Sequence, residues 1–73
     1  MRDKMIQALL KNAEGKIEKH KLNVEVLMQN PMGVADHPDM MKTIESEIKI
    51  IADCDEIIET VNRHFVKKDP FKS

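Results

Sequence analysis

The sequence predicts an all-α protein: an antiparallel two-helix hairpin that pairs with a second copy to form a four-helix bundle. Three observations predict it. Apolar residues step at alternating spacings of four and three from Ile6 to Leu27. The prolines fall only at 31, 38 and 70, which leaves two uninterrupted stretches of helix length. The second stretch also carries more apolar circumference than one neighbouring helix covers.

The first helix is expected over about 3–29. Ile6, Leu10, Ala13, Ile17, His20, Val24 and Leu27 form a heptad seam with one polar member, His20. A lone polar residue in a seam specifies register and partner number, and that role is preferred for His20 over a metal ligand or pH sensor at an oligomer axis. Gly15 lies off the seam and costs about 1 kcal/mol relative to alanine. Helix geometry should stop at Asn30, because Pro31 pushes the residue before it toward extended backbone.

The second helix is expected over about 38–67. Pro38 suits the first turn, where its missing N–H is not needed. Asp36 or His37 can cap, and Asp39 complements the positive end of the helix dipole. Met41, Ile44, Ile48, Ile51, Ile58 and Phe65 form one apolar stripe, and Ile50, Cys54, Ile57 and Val61 form a second beside it. Together they span close to ~200° at 100° per residue. The second stripe is the expected oligomer or partner interface. Lys67 and Lys68 suit the helix terminus, Pro70 prevents continuation, and 68–73 is a short tail.

Two helices of roughly 40 Å joined by a short linker fit antiparallel neighbours. Residues 1–29 carry six basic and four acidic side chains, a net of +2, and residues 38–66 carry three basic and seven acidic, a net of −4. Opposite signs favour pairing of the arms, although each exposed ion pair contributes only tenths of a kcal/mol.

The segment 30–37 is expected to be the turn. Gly33 supplies backbone freedom there. Met32, Val34 and Ala35 can fold over the hairpin end, with Val34 or Ala35 stapling the second helix start. Asp36, His37 and Asp39 could instead suggest a metal or catalytic cluster. Such adjacent side chains diverge around a helix start and find no further ligand, so capping is the better assignment and no metal is expected.

Asn30, Pro31, Gly33, Val34, Asp36, His37 and Asp39 form the pattern Asn-Pro-x-Gly-Val-x-Asp-His-x-Asp, followed by TIESEIKIIADCDEIIETV. This resembles small uncharacterised proteins of tailed bacteriophages, marine ones in particular. In those, a segment of the type Asn-Pro-x-Gly-Ile-Gly-Glu-His-x-Asp-Ile joins two helical arms. Ala35 stands here where a second glycine is common, Asp36 where glutamate is usual, and Met40 where isoleucine is usual. The resemblance covers residues 20 to 65. It implies a phage origin and a helical hairpin, and it carries over no catalytic residue.

Composition excludes several activities. The 73 residues have a net charge of −1, with 34% charged and 41% hydrophobic, which is too apolar for disorder and too balanced for a polyanion binder. Phe65 and Phe71 are the only aromatics, so no stacking platform for nucleic acid exists. Cys54 is alone, which rules out an intrachain disulfide and a thiolate zinc site. Its acidic neighbours Asp53, Asp55 and Glu56 oppose thiolate chemistry, so it reads as a small core hydrophobe. Glu59 has Asn62 and Arg63 three and four residues on, not the histidine of a di-iron bundle, and so an exposed Glu59–Arg63 pair is expected. No phosphate loop or nucleophile elbow is present. Lys4, Lys11, Lys16, Lys19 and Lys21 scatter around the first helix and read as a solvated face.

The N-terminal MRDKMIQALLKN is charged throughout, and no stretch approaches the ~20 apolar residues of a membrane span. Host cytoplasm is therefore the expected location, with virion association as an alternative. The function expected is that of a non-enzymatic phage accessory protein without a cofactor. It would form a homodimer and engage a host or phage protein through a helical surface, without membrane or nucleic acid. A virion assembly component and a nucleic-acid-associated factor are the alternatives.

Overall fold

The structure, a computed structural model, describes residues 1–29 and 37–67. Helix α1 runs Arg2–Gln29 and α2 runs His37–His64, each of 28 residues. The two pack against each other, and the described residues contain no strand. No helix is long and apolar enough to cross a membrane among the described residues.

Local chemistry accounts for the helix ends. Asp3 stands in the first turn of α1, where its charge faces the free N–H groups. Pro38 and Asp39 occupy the start of α2, and the Thr43 hydroxyl donates to the Asp39 carbonyl at 3.0 Å. At the other end, Arg63 and His64 place basic groups in the last turn, and the Phe65 N–H bonds the Val61 carbonyl at 2.9 Å. Arg2 donates to the Phe65 carbonyl at 2.8 Å. That carbonyl would serve the N–H four residues on if the helix continued; Arg2 satisfies it instead, and α2 stops three residues short of the expected 67.

The seam read from the first helix is the face that packs. Ile6, Leu10, Ala13, Ile17, His20, Val24 and Leu27 turn inward, joined by Asn23 at the edge. In α2 the inward positions are Met40, Ile44, Glu47, Ile51, Cys54, Ile58 and Val61, with the same alternation of four and three. The two expected stripes of α2 are thus redistributed. Ile44, Ile51 and Ile58 come inward from the first, and Cys54 and Val61 from the second. Met41, Ile48 and Phe65 stay about half exposed, and Ile50 and Ile57 also face out. Apolar character alone selected the expected stripes; heptad steps back from Val61 and Cys54 instead reach the polar Glu47 and then Met40.

Contacts between the helices fix the register. Arg2 reaches Phe65, and His20 and Asn23 both reach Glu47. One heptad before His20 on α1 and one after Glu47 on α2 stand Ala13 and Cys54, which this register sets at one level. They are the two least exposed of the described residues, at 2% and 4%. Small side chains at that level let the helix backbones approach closely.

The core is thin. Among the described residues no large side chain is fully buried, and the buried set is Ala13, Val24, Ile44, Cys54 and Val61. The radius of gyration is 17.0 Å, against about 11 Å for a compact domain of this length, and the principal extents are 56 × 23 × 15 Å. The accessible surface of 6298 Å² exceeds the roughly 4,600 Å² of a compact monomer of this mass by about 1,700 Å². A rod one helix pair thick leaves each helix most of its circumference in water.

Candidate interaction surface

Two features stand out on this rod: a polar layer across the helix pair and apolar flanks outside it. The polar layer is built by seam geometry. His20 occupies a core position of α1, and Glu47 the corresponding position of α2. His20 donates from Nδ1 to Glu47 Oε2, and Asn23 Nδ2 donates to Glu47 Oε1 at 3.2 Å. The His20 and Glu47 side chains are 16% and 19% exposed. Each oxygen of the carboxylate thus has its own donor from the facing helix. No buried polar side-chain atom lacks a partner among the described residues. Only one arrangement of the two helices makes both bonds, so the layer fixes register, as a polar seam residue does in coiled coils.

Glu47 is the inward polar residue that apolar patterning missed. The signal was present: a second heptad run through Met40, Ile44, Ile51, Cys54, Ile58 and Val61 has a gap that only Glu47 fills. It becomes visible once His20 is asked for a partner.

The four residues of the expected interface, Ile50, Cys54, Ile57 and Val61, are divided by the structure. Cys54 and Val61 are buried within the helix pair, whereas Ile50 and Ile57 are 37% and 48% exposed. The heptad explains the division. Cys54 and Val61 hold core positions, and Ile50 and Ile57 hold the position just outside them. Beside Ile57 a shallow groove on α2 is lined by Asp53, Thr60 and Val61. On the opposite flank of α2, Met41 and Ile48 line a second shallow groove with Glu45.

Two further ion pairs among the described residues are local to one helix. Arg63 donates to Glu59 at 2.5 Å, four residues apart on α2, which is the solvated pair read from the sequence. Lys21 and Glu18 approach to 3.8 Å on α1. Cys54 is a free, buried thiol. Of the turn and cap residues, Asn30, Pro31, Gly33 and Asp36 lie outside the described residues. His37 is the first residue of α2, followed by Pro38 and Asp39. Among the described residues no group of three His, Cys, Asp or Glu side chains is placed to hold a metal ion.

Comparison with known protein families, with curated proteins and with solved structures finds no match.

Proposed function

We propose that this chain is a non-enzymatic protein–protein interaction module, a small phage accessory protein built as an antiparallel helical hairpin that pairs with a second copy into a four-helix bundle. The antiparallel course is supported by the contacts of Arg2 with Phe65 and of His20 with Glu47, in which one number rises as the other falls. The observation that carries the pairing is the outward position of Ile50 and Ile57 on a helix whose core positions are already filled. About 1,700 Å² of surplus surface is ample for a standard interface, which takes roughly 800 Å² from each partner. Helix pairs of this size seldom hold enough core to stand alone. The remaining helical surface is then free to engage a host or phage protein.

Light scattering tests this directly. The wild-type chain is expected at twice its 8.4 kDa, and Ile57→Asp at the single-chain mass or unfolded. A wild-type chain that is fully helical and stays at the single-chain mass throughout the micromolar range refutes the proposal.

A further inference from the structure

Resting on that dimer reading, we infer that the second copy binds the flank carrying Ile50 and Ile57, with α1 of each copy lying against α2 of the other. The register sets which residues share that flank. In an antiparallel pair the positions just outside the seam on one side are Leu9 and Lys16 of α1 with Ile50 and Ile57 of α2. One step further out come Met5 and Lys19 of α1 and Asp53 of α2. Met5 and Leu9 are 60% and 55% exposed, so the apolar content of this flank comes from both helices.

Charge selects this flank and the orientation. Its α1 half presents Lys16 and Lys19 with no acidic residue, and its α2 half presents Asp53 with no lysine. The opposite flank mixes Lys11, Glu14 and Lys21 on α1 with Glu45, Asp55 and Glu59 on α2. A twofold axis along the helices sets each basic half over an acidic one. A twofold axis across them would set lysine over lysine and aspartate over aspartate. The first arrangement keeps every residue at its own level. The partner's Leu9 then meets the Ile57 groove, and the partner's Lys16 falls within about two residues, or ~3 Å, of Asp53. Among the described residues neither Lys16 nor Asp53 belongs to an ion pair within the chain.

A charge-swap experiment on the full chain tests the inference. Lys16→Glu and Asp53→Lys are made separately, and circular dichroism confirms that each stays helical. Twofold symmetry doubles each change, so each variant alone is expected to raise the dimer dissociation constant by at least about tenfold. Mixing the two is expected to recover a heterodimer in sedimentation, because opposite charges then face each other at both seams: residue 16 of the first variant against residue 53 of the second, and the unchanged Asp53 of the first against the unchanged Lys16 of the second. Ile48→Ser on the opposite flank is expected to leave the wild-type constant unchanged. If wild type dimerises but both charge variants dimerise as tightly and Ile48→Ser does not, the flank assignment is wrong and the dimer reading stands. If wild type stays at the single-chain mass, the dimer reading falls and the flank assignment falls with it.

Discussion

Removing the Glu47 carboxylate should cost this molecule a large part of its stability. Glu47→Ala deletes the acceptor of both His20 and Asn23, at a level where His20 and Glu47 are 16% and 19% exposed. Hydrogen bonds to a charged group contribute roughly 1.5–3 kcal/mol when well shielded, and partial access to water puts each near or below the bottom of that range. The expected loss is therefore about 2 kcal/mol, against a total of only about 3–5 kcal/mol for a chain this small. In a thermal scan followed by circular dichroism, that is roughly 8–16 °C in Tm. Scans must share one chain concentration, since an oligomer's midpoint depends on it. A double-mutant cycle with His20→Ala isolates the pair and should return a coupling near 1 kcal/mol. Replacing both His20 and Glu47 with leucine should restore stability to at least the wild-type level, because a well-packed apolar layer carries no desolvation cost. If Glu47→Ala costs less than about 0.5 kcal/mol, the value of an ordinary surface change, the layer does not hold the helices in register.

Two further outcomes follow from local geometry. Gly15 sits inside α1 with no positive φ, and an added Cβ would meet nothing within 4 Å. Gly15→Ala should therefore raise stability by about 0.5–1 kcal/mol, read from urea unfolding with an unchanged slope. Cys54 is 4% exposed at the level of Ala13, so Cys54→Leu should overpack that level and cost about 1–3 kcal/mol, whereas Cys54→Ala should cost less. Equal tolerance of leucine and alanine would show that this level has room for a larger side chain.

The two helices differ in how openly their sequences state their roles. In α1 the seam was legible residue by residue, because its flanks carry mostly charged and amide side chains and the apolar positions stand out. In α2 apolar residues occupy the core positions and both neighbouring positions, so hydrophobicity does not separate inside from outside. Met41 and Ile48 were read inward on that basis, and Met40 and Glu47 are the residues found there. The polar member of a seam shows only as a gap in the apolar run, and in α2 the crowded apolar flanks hide that gap until His20 is asked for a partner. His20 was recognisable as a register-setting residue from one strand of evidence, while its partner required the pairing of the two helices. The division of Ile50 and Ile57 from Cys54 and Val61 has the same origin, since the exposed pair and the buried pair hold adjacent positions around the helix, four residues apart along it.

The lone thiol at the level of Ala13 has a use of its own. Cys54 is shielded from solvent by the facing helix, so a bulky alkylating reagent reaches its sulfur only when the arms part. Labelling speed then tracks how often the molecule breathes, without any added dye or engineered probe. Anything that clamps the arms together, a second copy or a foreign protein, would slow that chemistry in proportion.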